Sequence, residues 1–246
     1  MVVSDATAYV VAVIFAATLI RSSLGFGEAL VAVPLLALRV PVTIAAPLAV
    51  LVSIVVAAAI VIQDRTHVEF RSAGGLVIAS AFGIPLGVLL LATAHEHAVK
   101  LTLGAVIVAF AIYSLTARSL PHLAEDHPGL LIACGFLAGI FGGAYGMNGP
   151  PLVVYGTLRR WTPRQFRATL QGYFLPASAM GAIGYLSIGL WSSAVTRYFV
   201  WSLPAVALAI AIGRWLNRRL KSDRFFRVVY AGLLVIGTTL MIETIG

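Results

Sequence analysis

The sequence predicts an all-α, polytopic transmembrane protein of about eight spans in two repeats, each with a Gly/Pro-broken re-entrant segment. Composition is the first of three observations: 60% of the 246 residues are hydrophobic and 11% are charged, against about a quarter charged in a soluble domain. Mean hydropathy is +0.98. The second is a set of continuous apolar runs, which favour helices over the alternating strands of a barrel. The third is a resemblance between the two halves of the chain.

Eight apolar segments are long enough to cross a membrane, which takes about 20 residues. They lie near 6–24, 41–62, 74–94, 98–117, 129–145, 165–189, 195–214 and 225–244. Two further pieces, 30–38 and 150–158, are too short to cross alone, because nine residues rise only about 14 Å as a helix. The loop at 118–128 lies at the middle of the chain and separates the predicted repeats, 1–120 and 121–246.

The two short pieces lie in matching positions of the two halves. "GFGEALVAVP" (25–34) aligns with "GMNGPPLVVY" (146–155) at an offset of 121 residues, and Pro41 then aligns with Pro163 after one inserted residue. In "GMNGPP", two adjacent prolines cannot donate to a helix ladder. Duplicated halves with Gly/Pro-interrupted apolar segments are typical of secondary transporters, which bind substrate at the interruptions.

An interrupted helix leaves up to four N–H groups free at each new N-terminus, and its positive dipole end favours an anion. For Gly135 and Gly139 the spacing instead favours helix packing. Arg167 is expected to fix the anion with paired N–H bonds, with Gln171 one turn later on the same helix face. The alternative for Arg167 is a cytoplasmic flank residue. The predicted substrate-binding residues are Gly25, Gly27, Gly146, Asn148, Gly149, Arg167, Gln171 and Tyr173.

Glu28 is a carboxylate just past the first interruption, within an otherwise apolar region. A charge inside the membrane is costly and indicates a function or a partner. One interpretation is a structural ion pair with Arg21 or Arg167. The other is that Glu28 takes up and releases a proton as the site changes access, and the two interpretations remain open at this point.

The two interrupted motifs, each followed by a Pro-led helix, resemble the Gly-rich signatures of the TauE/SafE family of sulfite and organosulfonate exporters. Gly25, Gly27 and Pro34 match the pattern in the first copy, and Gly146 and Gly149 keep its glycine character in the second. The resemblance covers nearly the whole chain. It implies transport of small anionic sulfur or carbon compounds across a bacterial inner membrane.

The predicted function is secondary transport of a small anion of the sulfite, sulfonate or carboxylate class, driven by the proton gradient. An integral membrane enzyme acting on a lipid or quinone, or an anion channel, is the alternative. The expected partners are the anion, protons and membrane lipids, with a homodimer as one permitted arrangement. No cofactor, metal site or nucleic acid is expected, because the basic residues flank membrane helices and no metal or nucleotide motif is present.

Basic residues predict the orientation, because they concentrate on the cytoplasmic side. With eight spans, in which the short pieces are re-entrant and the repeats parallel, thirteen of the seventeen lie on one side. If the short pieces complete crossings, there are ten passes with inverted repeats and the division is fourteen to three. Both arrangements place both termini in the periplasm. The short pieces favour eight spans.

Overall fold

The computed structural model describes residues 5–116, 123, 125–219 and 223–245. Within them the chain forms ten α-helices and a short 3-10 helix (Arg65–His67), with no strand, so the all-α class is confirmed. The helices are α1 (Asp5–Leu24), α2 (Glu28–Ala37), α3 (Val42–Asp64), α4 (Phe70–Thr93), α5 (Glu96–Thr116), α6 (Pro128–Tyr145), α7 (Gly149–Leu158), α8 (Pro163–Ser187), α9 (Ser193–Arg219) and α10 (Asp223–Ile245).

Six of the described helices are long and apolar enough to cross a membrane. They are α1, α3 over Val42–Ile62, α4, α5, α6 and α9 over Ser193–Asn217. The predicted span at 165–189 corresponds to α8, whose first five residues include Arg164 and Arg167 and which is not among the six. The protein is therefore a multi-pass helical membrane protein, and its total of eight spans stays a prediction.

Helices are interrupted at both places where the sequence predicts it. The first interruption lies between α1 and α2, where Gly25 and Gly27 adopt φ angles of 92° and 97°, a left-handed conformation that glycine adopts at little cost. In the second, Gly146 closes α6 with φ 67°. The Gly146 N–H bonds to the Gly142 carbonyl, as in the αL motif that ends many helices, and the Met147 N–H bonds to the Phe141 carbonyl. Each new helix then begins within three residues.

Each short helix folds back along the long helix that precedes it. The Tyr9 hydroxyl, near the start of α1, donates to the Leu35 carbonyl near the end of α2 at 2.6 Å. In the second half, the Tyr155 hydroxyl on α7 donates at 2.6 Å to Asp126, two residues before the start of α6. Arg159 forms an ion pair with the same carboxylate at 3.0 Å. The α1–α2 and α6–α7 pairs are therefore helical hairpins.

The two hairpins enter the helix bundle from opposite ends. At one end, Asp126 accepts a hydrogen bond from Ser72 at the start of α4 at 2.9 Å. At the other end, His97 at the start of α5 lies 3.2 Å from the carbonyl of Thr244 near the end of α10, beside the end of α2. The helix α4 runs from the end of the bundle at Asp126 to the end at His97. The α6–α7 hairpin and the α1–α2 hairpin therefore have their free helix ends on opposite sides of the bundle.

Glycines bring α4 and α6 into backbone contact. A Cβ added at Gly135 would lie 2.7 Å from the carbonyl oxygen of Leu76, and one at Gly139 would lie 2.5 Å from that of Ser80. At Gly143 the distance to the nearest carbonyl is 2.2 Å. The packing role that the sequence predicts for Gly135 and Gly139 is confirmed. Elsewhere, α1 packs on α9, α3 on α8 and α5 on α10.

Candidate functional site

The two helix interruptions meet at one small buried cavity. Its volume of ≈ 20 Å³ is room for about one or two waters, since a single water needs roughly 10–15 Å³. The cavity is therefore smaller than a sulfite-sized anion needs. The lining consists of both interruptions and one side chain each from α1, α3 and α8: Gly27, Glu28, Ala29, Leu30, Gly146, Met147, Asn148, Gly149, Arg21, Ser53 and Phe174.

Both α2 and α7 begin at this cavity, but they offer it different numbers of backbone donors. The first helical bond of α2 runs from Val31 N–H to the Gly27 carbonyl at 3.2 Å, so the N–H groups of residues 28–30 precede the helical ladder. In α7, Pro150 and Pro151 have no N–H, which leaves that of Gly149. The two helices each place a positive dipole end of about half a charge at the cavity.

Arg21 is the cation of the site. Its side chain is 3% exposed, and Nη1 donates to the Glu28 carboxylate and, at 2.8 Å, to Ser53 Oγ. Nε and Nη2 both donate to Gln171 Oε1, at 3.3 and 2.7 Å. The guanidinium lies 4.8 Å from the centre of the Phe174 ring. Of the two partners considered for Glu28, the structure therefore selects Arg21.

Glu28 is the first residue of α2 and is 2% exposed. One carboxylate oxygen, Oε2, pairs with Arg21. The other, Oε1, is buried and makes no well-formed hydrogen bond among the residues that the structure describes, with the Thr18 hydroxyl of α1 near the carboxylate. A buried acceptor without a donor is destabilising, so this oxygen is available for a proton or for a donor on a bound molecule. Whether Glu28 exchanges a proton stays a prediction.

Gln171 and Arg167 pack against the first interruption, although the sequence-based prediction has them pointing into the cavity. Gln171 Oε1 accepts from Arg21, while Nε2 donates to the Gly25 carbonyl. The aliphatic part of Arg167 covers Gly25, since a Cβ added there would lie 2.9 Å from Arg167 Cγ. The reason is that the backbone at Gly25 lies directly on α8. Arg167 and Gln171 therefore do not line the cavity, and Arg21 in the last turn of α1 does.

Asn148 lines the cavity, and Tyr173 lies behind it. The Asn148 amide donates to the Ala138 carbonyl at 3.2 Å and to the Tyr173 hydroxyl at 3.3 Å. Tyr173 is fully buried. Six of the residues predicted from the sequence thus line the cavity, namely Arg21, Gly27, Glu28, Gly146, Asn148 and Gly149, and four lie outside its lining, namely Gly25, Arg167, Gln171 and Tyr173.

Ser53 and Phe174 line the cavity and were missed by the reasoning from sequence. Ser53 could have been found, because it is the central polar residue of the uncharged run 40–63, whose other polar residues, Thr43 and Gln63, lie near its ends. Phe174 carries no such signal among many apolar residues. Among the described residues, no group of three His, Cys, Asp or Glu side chains could hold a metal ion.

Comparison with known proteins gives two matches. The model of the family described as "Sulfite exporter TauE/SafE" matches residues 10–241. The chain is also 25% identical over 208 residues to a Cupriavidus necator protein named "Probable sulfite/organosulfonate exporter TauE", a region that covers 83% of this chain and 81% of that protein. No solved structure matches the chain significantly. Because the family match spans nearly its whole length, the chain belongs to the TauE/SafE family, whose members are membrane transporters and not enzymes.

Proposed function

We propose that this protein is a secondary transporter that moves a small oxygen-bearing anion, a sulfite, sulfonate or carboxylate, across the bacterial inner membrane with the proton gradient. The observation that carries the proposal is the convergence of two interrupted helices on one buried cavity walled by Arg21. Helix N-termini and a guanidinium both favour an anion. The name of the Cupriavidus necator relative points to the same class of substrate.

The Arg21–Glu28 pair supports coupling to a proton. While Glu28 is ionised, its charge cancels that of Arg21, and its Oε1 atom repels an entering anion. Two unit charges about 4 Å apart interact by about 4 kcal/mol at an effective dielectric constant of about 20. Protonation of Glu28 removes this repulsion and leaves Arg21 with an uncompensated positive charge. Anion and proton therefore bind together most favourably.

The helix contacts support two inverted repeats, 1–120 and 121–246. We let α1 to α5 correspond in order to α6 to α10, so that α1 is equivalent to α6, α3 to α8 and α4 to α9. The α1–α9 contact is then equivalent to the α6–α4 contact, and the α3–α9 contact to the α8–α4 contact. All four contacts are present. The α3–α8 and α5–α10 contacts map onto themselves. The hairpins enter from opposite ends, which suits the inverted alternative of five passes in each repeat, with α2 and α7 counted as passes, better than eight spans with parallel repeats. Inverted repeats allow one central site to open alternately to either side.

The distribution of basic residues then predicts which side of the protein faces the cytoplasm. In the ten-pass arrangement the sequence assigns fourteen of the seventeen to one side and Arg39, Lys100 and Arg197 to the other, and the described residues Arg71, Arg159 and Arg164 lie towards the side where α7 ends. The side with fourteen is cytoplasmic by the positive-inside rule. Both termini are then periplasmic, as the sequence also predicts.

Transport in proteoliposomes tests the proposal. The parent protein should take up sulfite, methanesulfonate or acetate faster when an inward proton gradient is imposed. Glu28→Gln keeps size and hydrogen bonding but removes the titration, so this variant should exchange anion across the membrane without responding to the gradient. Glu96→Gln, which changes a half-exposed carboxylate of a surface pair, is the matched control and should respond like the parent.

Three outcomes would contradict parts of the proposal. A parent protein that moves none of these anions refutes anion transport of this class. Flux that ignores the gradient in the parent indicates an anion channel. A Glu28→Gln variant that keeps the gradient response refutes the coupling role and leaves Glu28 as the structural partner of Arg21.

A further inference from the structure

Ser53 is a buried hydroxyl at the wall of the cavity, near the middle of α3. Its side chain is 6% exposed, and it is the residue that α3 contributes to the cavity lining. Two hydrogen bonds reach its oxygen: Arg21 Nη1 donates at 2.8 Å, and Ser178 Oγ on α8 donates at 2.9 Å. The serine thus joins three helices at the site.

These two bonds determine the direction of the Ser53 hydrogen. A hydroxyl has one donor and two acceptor positions, and a guanidinium can only donate. With Arg21 and Ser178 both donating, both acceptor positions of Ser53 are occupied. Its own O–H is left to donate, and the open space beside it is the cavity. Ser53 therefore presents a hydrogen-bond donor where the substrate is proposed to bind.

We propose that Ser53 is a substrate-binding residue that donates its O–H to an oxygen of the transported anion, and that Ser178 is a positioning residue that fixes this direction. The inference rests on the proposed function. The first N–H groups of α2 approach the same cavity from another element. Donors on two elements suit an anion with two or more oxygens, which sulfite, sulfonates and carboxylates share.

Ser178 acts through Ser53 and does not line the cavity. Without the Ser178 hydroxyl, one acceptor position of Ser53 is empty, and its O–H is free to turn back to a carbonyl of the preceding turn of α3, as serine commonly does in helices. The effect of removing Ser178 should therefore exist only while Ser53 is present.

The experiment compares Ser53→Ala, Ser178→Ala, the double variant and Ser53→Thr with the parent, in uptake of sulfite, methanesulfonate and acetate by proteoliposomes. Ser53→Ala should raise KM about tenfold or more, since a hydrogen bond to a charged group contributes about 1.5–3 kcal/mol. Ser178→Ala should raise KM less, and should add nothing to Ser53→Ala. Ser53→Thr keeps the hydroxyl and should restore KM to within a few-fold of the parent.

Ser202→Ala is the matched control, because Ser202 is a fully buried serine on α9 outside the cavity lining. It should leave KM unchanged, and thermal unfolding of every variant verifies folding. Parent-like KM in a folded Ser53→Ala variant overturns the substrate-binding role while anion transport stands. Additive effects of Ser53→Ala and Ser178→Ala overturn the positioning role. A parent protein that takes up none of the three anions overturns the proposed function, and the role of Ser53 with it.

Discussion

The buried Arg21–Glu28 pair makes a quantitative prediction about stability. Breaking one partner of a buried ion pair leaves an uncompensated charge, whereas removing both leaves none. Glu28→Gln and Arg21→Gln should each lower the free energy of unfolding substantially. The double variant Arg21→Met/Glu28→Leu should lower it by much less than the sum of the two.

The contacts of the pair set the magnitudes. Breaking a buried pair costs about 3–5 kcal/mol, a large part of a total stability of about 5–15 kcal/mol. Glu28→Gln leaves the bonds from Arg21 to Ser53 and Gln171 in place, so we expect about 3 kcal/mol. Arg21→Gln removes these bonds as well and leaves Glu28 buried, so we expect about 5 kcal/mol. The double variant loses mainly the partners of Ser53 and Gln171, a cost of about 1–3 kcal/mol.

Equilibrium unfolding in mixed detergent micelles, followed by circular dichroism, measures these differences. The control is Glu96→Gln, which breaks a pair with Lys100 one helical turn away. Exposed pairs contribute at most about 1 kcal/mol, so this variant should unfold almost like the parent. If Glu28→Gln costs no more free energy of unfolding than Glu96→Gln, or if the cost of the double variant equals the sum of the single ones, the buried charges do not stabilise each other.

Two further predictions concern packing and orientation. Gly143→Ala should lower the free energy of unfolding by about 1–3 kcal/mol, because the new Cβ would lie 2.2 Å from the Ile84 carbonyl. Gly74→Ala, whose Cβ would have nothing within 4 Å, should instead raise the free energy of unfolding by about 0.5–1 kcal/mol through helix propensity. Equal effects of the two variants in the same unfolding assay would contradict the close α4–α6 contact. A reporter enzyme that is active only in the periplasm should be active when fused after residue 246, and a silent fusion would contradict the proposed orientation.

The two helix interruptions could be predicted because their cause is local. Glycines that take positive φ angles and adjacent prolines that cannot donate break a helix wherever the rest of the chain lies. The sequence therefore predicted that residues 25–28 and 146–149 would end one helix and start another, and the structure places both at the cavity.

The identity of the cavity cation could not be predicted, because it depends on how helices distant in sequence face each other. Arg21 and Arg167 both lie beside an interruption, and their spacing does not show which one the fold turns towards the cavity. Because Arg167 packs against the Gly25 backbone, Arg21 is the arginine that lines the cavity. The contact between Ser53 and Ser178 joins residues 125 positions apart, so nothing local to either serine indicates it.

The two interruptions differ chemically, so they contribute different groups to the site. Where the first copy has Glu28 and two further backbone donors, the second has Gly149 followed by two prolines that donate nothing. The first copy therefore provides the titratable group and most of the backbone donors. The Asn148 amide in the second copy is already bonded to Ala138 and Tyr173, and the far end of α7 is bonded to Asp126. We infer that the anion binds closer to α2 than to α7.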